Sequence, residues 1–171
     1  MPRRNREHGR PTMQRLLATR ASGWSILIRL SVGLVVFLPE GIQKLIFPAI
    51  LGAGRFAKIG IPLPDIMGPF VGLVEIGCGA LIIAGLLTRA ASVPLIIVMI
   101  VAIVSTKIPI LLGQDVGIFH LPKLARYGFW SMQHEARADL IMLLALFYLL
   151  IEGAGAWSLD ALIVRRTQAT R

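Results

Sequence analysis

The sequence is short of the residues that carry self-contained chemistry. Cys78 is the one cysteine in 171 residues, and a single thiol can neither close an intrachain disulfide nor form a C-x-x-C redox pair. Intramolecular thiol–disulfide exchange is therefore excluded, and Cys78 reads as a small core hydrophobe. The three histidines, His8, His120 and His134, all fall outside the middle of the apolar runs, which argues against a haem held by imidazoles. No H-x-x-x-H or C-x-x-C spacing offers a metal site, and there is neither a glycine-rich phosphate loop nor a G-x-S-x-G turn. Charge is also scarce, at 16% of residues, against about 25% in soluble domains. Acids are scarcer than bases, which leaves a net charge of +9. That excess does not point to nucleic acid. Arg3, Arg4, Arg6, Arg10, Arg15 and Arg20 crowd the start, with no aromatic residues among them to stack on bases.

Apolar residues, in contrast, make up 56% of the chain, and its mean hydropathy is +0.74. They gather into runs of about 20 residues, the length that crosses a ~30 Å hydrocarbon layer. Four spans are expected: from about Trp24 to Ile46, Ile66 to Leu87, Ala90 to Leu112, and Ala138 to Ile151. The fold class is therefore all-α, a polytopic membrane protein with a four-transmembrane-helix bundle. The organisation expected is a basic cytoplasmic tail over 1–23, a membrane domain over 24–156 and a basic C-terminal tail over 157–171. The cationic start resembles a signal peptide, but no small-x-small cleavage site follows and Arg29 interrupts the run. Thr88-Arg89 leaves room only for a tight antiparallel turn between the second and third spans. The segment 113–137 carries Phe119, Tyr127, Phe129 and Trp130, which suits an interfacial helix. Ten Lys and Arg flank the spans on the side of the termini and five on the other, so both termini are expected in the cytoplasm. The basic tails would meet anionic lipid.

Against this background Glu75 stands out. It lies about nine residues into the second span, or ~14 Å, near the middle of the bilayer, where an unpaired carboxylate costs several kcal/mol. Gly68, Gly72, Glu75 and Gly79 share one helix face. Small residues let another helix approach, so Glu75 is expected to face protein. Glu40 and Lys44 are four apart in the order that favours an ion pair. Lys107 on the third span and Asp139 on the fourth complete a set of acids and bases directed at one region, with Glu75 below the others. Two readings stand: a buried network that fixes helix register, or an outward-opening pocket or proton path. His134 would be a proton carrier there, or simply solvated. Arg29, near the inner end, either joins a network or snorkels to headgroups.

Three stretches carry a resemblance to a known family. RLSVGLVVFLPEGIQKLIF (29–47), EIGCGALIIAGLLTRA (75–90) and GAGAWSLD (153–160) resemble, in order, the first helix, the Glu-to-Thr-Arg segment and the closing Ser-Leu-Asp of the DoxX family. The resemblance covers most of 29–162. It points to Arg29, Gly33, Gly41, Lys44, Glu75, Gly79, Arg89 and Asp160 as motif positions. Before the fourth helix the family often carries an acid flanked by aromatics, and here Glu135 and Asp139 both compete for that place. The resemblance implies a four-helix protein of the inner (plasma) membrane, some of whose relatives are subunits of quinone-reducing sulfur oxidoreductases. The expectation is an accessory subunit of a quinone-linked redox complex, with redox partner subunits or a homodimer as its protein contacts. Glu40, Lys44, Glu75, Lys107, Asp139 and His134 are its ligand or proton-path candidates. A transporter of a small solute or ion, and a non-catalytic scaffold, are the alternatives. No metal is expected.

Overall fold

A computed structural model describes residues 22–169. The arginine-rich start, with His8, and Arg171 lie outside the described residues. The described chain is helical, with no strand beyond an isolated bridge between Val116 and Phe119. Helix α1 runs Ser25–Ile46, α2 Ala53–Lys58, α3 Pro64–Ala84, α4 Thr88–Leu112, α5 Phe129–Glu152 and α6 Leu159–Ala169.

Punctuation in the sequence sets most of these limits. Pro64 opens α3, where its missing N–H and fixed φ do no harm. Gly85, at φ 69°, closes it in the left-handed conformation that glycine adopts without strain. Two of the prolines inside the spans have a different consequence. Pro39 and Pro109 cannot donate to the carbonyl four residues back and would clash with it. Each falls in or just after a π-helical stretch, Val36–Ile42 in α1 and Ile103–Lys107 in α4. Gln43 N–H bonds to the Leu38 carbonyl and Ile108 N–H to that of Ile103, each five residues back. The wider turn accommodates what an α-turn could not.

Close approach of α1 and α3 depends on glycine. A Cβ on Gly79 would lie 3.1 Å from the Phe37 Cβ, and one on Gly41 2.8 Å from Ile76 Cγ1. Beside this seam, Val32 and Val36 of α1 meet Ile82 of α3, Leu95 and Met99 of α4, and Met142, Leu146 and Leu149 of α5 in one core. The opposite faces are exposed and apolar: Leu27, Leu34 and Leu38 on α1, Phe70 and Leu73 on α3, Val93, Ile97 and Ile100 on α4. A water-soluble domain would not leave such continuous apolar faces uncovered.

Three helices are long and apolar enough to cross a membrane: α1, α3 and α4, with hydropathies of 1.8, 2.0 and 2.7. The fourth differs from expectation. It begins at Phe129 rather than Ala138, and its added turns carry Gln133, Glu135 and Arg137. These residues favour a helix without being apolar, so hydropathy alone does not register them. The interfacial helix expected within 113–137 is not a separate element. Residues 113–128 contain no helix, and 129–137 are the first turns of α5.

Candidate functional site

Lys44, in the last turn of α1, is the point at which the buried charges of α1 and α3 meet. Its ammonium donates to Glu75 Oε1 at 3.0 Å and lies 2.8 Å from Oε2, which it neutralises by charge rather than by a well-directed hydrogen bond. It also donates to Glu40 Oε2 at 3.1 Å and to the Glu40 carbonyl at 2.9 Å. Glu75 is 1% exposed and Lys44 8%, so the pair has exchanged water for each other and depends on that pairing. Local structure brings them together. Gly41 and Gly72 keep the backbones close, with a Cβ on Gly72 only 3.3 Å from the Gly41 carbonyl. The π-helical stretch that contains Glu40 ends two residues before Lys44. Glu75, expected near this group, is bonded to Lys44 directly.

A second pair lies between α4 and α5. Lys107 Nζ is 3.1 Å from Asp139 Oδ2, and Lys107 closes the π-helical stretch of α4. Ser105 and Thr106 beside it are buried, their hydroxyls 3.4 Å apart. The single cluster expected from the sequence is thus two separate ion-paired groups, Glu40–Lys44–Glu75 and Lys107–Asp139. Arg55, on α2, stands between them. It acts electrostatically on the Glu75 carboxylate and also lines a cavity of about 630 Å³ that Lys107 borders.

That cavity contains groups that sequence reasoning had counted only for topology. Arg55, Lys58 and Lys123 line it with Lys107 and Glu135, and Thr106, Ile59, Ile110, Leu121 and Leu124 supply a hydroxyl and apolar walls. The spacing of Arg55 and Lys58, one helical turn apart on α2, was the available signal. His134 does not line the cavity. It is exposed on α5, and its backbone carbonyl accepts from the Arg137 guanidinium. Its neighbour Glu135 faces the cavity instead.

The remaining motif residues gather at the other end of the bundle. Arg29 is 1% exposed and turns inward, so it does not snorkel. Its Nη2 donates to the Trp157 carbonyl at 2.6 Å. Asp160 accepts from the backbone N–H groups of Leu87 at 2.7 Å and Thr88 at 3.2 Å, which caps the start of α4. These bonds hold Leu87 at φ 49°, a conformation non-glycine residues adopt only when their surroundings impose it. Burial raises the Asp160 carboxyl pKa, and the same N–H groups and the nearby Arg29 oppose that shift. Arg89 donates to the Ile151 carbonyl at 2.7 Å, and Ser25 to that of Ala154 at 2.8 Å. Together these contacts latch the segment 153–160 onto the α3–α4 turn. Gly33 and Gly79 belong to the α1–α3 seam, a Cβ on Gly33 coming within 3.3 Å of the Gly79 carbonyl.

The DoxX family model matches residues 25–108, which take in the α1–α3 seam, Lys44, Glu75 and Lys107. The uncharacterized membrane protein Rv3486 of Mycobacterium tuberculosis is 50% identical to this chain over 159 residues, 93% of each. No solved structure matches. With this family match, a relative 50% identical along nearly its whole length and three membrane-length helices among the described residues, the chain belongs to the DoxX family and is an integral membrane protein.

Proposed function

We propose that this protein is an accessory subunit of a quinone-linked redox complex in the inner (plasma) membrane, crossing it four times with both termini in the cytoplasm. The observation that carries the reading is the cavity floor, where the buried Lys107 and Thr106 offer polar hydrogens beside apolar Ile59 and Ile110. A volume of about 630 Å³ lies within the range of small-molecule sites. A quinone headgroup fits this donor set, because its two carbonyl oxygens accept hydrogen bonds and its ring is apolar. When bound, it would supply two-electron, two-proton chemistry. In this chain, Lys107 and Thr106 would orient the headgroup, and Ile110 and Leu124 would exclude water. The Glu40–Lys44–Glu75 group would hold or release a proton nearby. The electrons would come from a partner subunit.

The fourth crossing is supported by α5 itself. Ile141, Leu144, Phe147 and Ile151 form an exposed apolar face, and Asp139 is matched by Lys107. With Cys78 replaced, single cysteines at Lys123 and Arg165 would report the topology. An impermeant maleimide added to intact cells should label only the first.

Quinone retention tests the function. Protein extracted gently from its own membrane should carry quinone, and Lys107→Met should lose it while Arg126→Gln does not. Absence of quinone from the unaltered protein would end this reading. The complete pairing of Lys44, Glu75, Lys107 and Asp139 favours one alternative, a scaffold whose charges only join helices. It predicts that Lys107→Met lowers thermal stability and assembly without any separate effect on electron transfer.

A further inference from the structure

The cavity's mouth carries a charge imbalance that its floor does not. On the floor, Asp139 neutralises Lys107 at 3.1 Å. At the mouth, the exposed Arg55, Lys58 and Lys123 face one carboxylate, Glu135. None of the three cations is ion-paired with a described residue. Arg55 and Lys58 are one turn apart on α2 and share a face. Three like charges gathered around a single carboxylate still repel one another, and a bound anion relieves that repulsion.

We propose that the mouth binds a phosphate-type oxyanion, either the headgroup of an anionic lipid or free phosphate. The guanidinium of Arg55 presents the planar fork that matches two phosphate oxygens, and the two lysines add point charges. The location fits as well. Helix α2 joins the end of α1 to the start of α3, and the 113–128 segment joins α4 to α5, so both lie at one end of the spans. Headgroup phosphates lie at that level of a bilayer. Leu121 and Leu124, on either side of Lys123, give an acyl chain an apolar surface to follow. The site is independent of the quinone reading, since it uses the mouth and not the floor. Quinone can be absent while the anion is retained.

The test is native mass spectrometry of the full chain in neutral detergent, with phosphatidylglycerol as probe and phosphatidylcholine as the uncharged comparison. Two doubles that each remove two charges are compared: Arg55→Gln with Lys58→Gln, and Arg165→Gln with Arg166→Gln. The first should weaken phosphatidylglycerol retention by about tenfold per charge removed, and the second should leave it unchanged. Lys123→Gln, on a different segment, should give about tenfold alone and covers the case in which the α2 double fails to fold. Equal loss in both doubles, or equal retention of phosphatidylcholine, would overturn the proposal. Inorganic phosphate added as competitor separates the sources. Displacement of the lipid identifies the free oxyanion as a ligand of the same site, and resistance assigns the site to the lipid headgroup.

Discussion

At the latch end of the bundle, Arg29, Arg89 and Asp160 bond to backbone groups, namely the carbonyls of Trp157 and Ile151 and the N–H groups of Leu87 and Thr88. At the cavity end, Lys44, Glu75, Lys107 and Asp139 bond to other side chains. The difference is chemical as well as geometric. A backbone partner cannot change its protonation state or rotate away, so the latch fixes chain ends and caps helices. Paired side chains can exchange protons and partners, and here they lie beside π-helical turns and a cavity. π-Helical turns recur at functional sites because they place side chains where an α-helix would not. The same types of charged residue therefore serve assembly at one end and leave room for chemistry at the other.

Removing one partner at each end should break this comparison most clearly. Lys44→Met leaves the Glu75 carboxylate buried without a counter-charge, which costs about 3–5 kcal/mol. Thermal unfolding in a mild detergent should show a fall of that order. Lys44→Met combined with Glu75→Leu should recover most of it, because apolar replacement of a whole buried pair is often close to neutral. If the single variant is as stable as the unaltered protein, the pair contributes neither register nor stability, and the cavity-end assignment is wrong.

Asp160→Ala should cost less, about 1–2 kcal/mol, because it removes a helix cap and takes from Arg29 only a longer-range attraction, its hydrogen bond to the Trp157 carbonyl remaining. Asp160→Asn should retain much of the cap, since its amide oxygen can still accept from Leu87 N–H. A Lys44→Met, Asp160→Ala double variant sharpens the contrast. The two sites share no partner and lie at opposite ends of the helices, so their costs should add to within about 0.5 kcal/mol. A clearly larger deviation would mean that the ends are coupled through the α1–α3 seam.

How much of this was legible in the sequence depended on the range of the contact. Helices α1, α3 and α4 stood out because their apolar runs are long, although the second was read as ending at Leu87, past the Gly85 that closes it. The Glu75 stripe was legible because Gly72 and Gly79 fall on its helix face. The pairing of Glu75 with Lys44 spans 31 positions, and helical periodicity gave its direction but not its partner. The bond from Arg29 to Trp157 spans 128 positions, and nothing local distinguishes it from a snorkelling arginine. The cavity was hidden for another reason. Arg55, Lys58, Lys123 and Glu135 come from two connecting segments and the start of α5, where hydropathy is low and no period runs long enough to read.

The smallest expected effect is the part of the pH dependence that the latch contributes. Burial raises the Asp160 pKa in the folded protein, above the value of about 3.9 that an unfolded chain would have. Below that value the carboxyl is protonated in both states, and its contribution to stability is fully present. As pH rises towards the folded pKa, the unfolded chain releases its proton first, so stability falls with increasing pH in that window. A melting series in detergent, starting near pH 4, should therefore show a decline that Asp160→Asn makes shallower. The difference that Asp160→Asn makes should be the same in a Lys44→Met background despite its much lower melting temperature, because Asp160 is at the opposite end of the bundle. A decline of the same steepness in Asp160→Asn would assign the whole titration to other carboxyls and would leave the latch a fixed cap across this range.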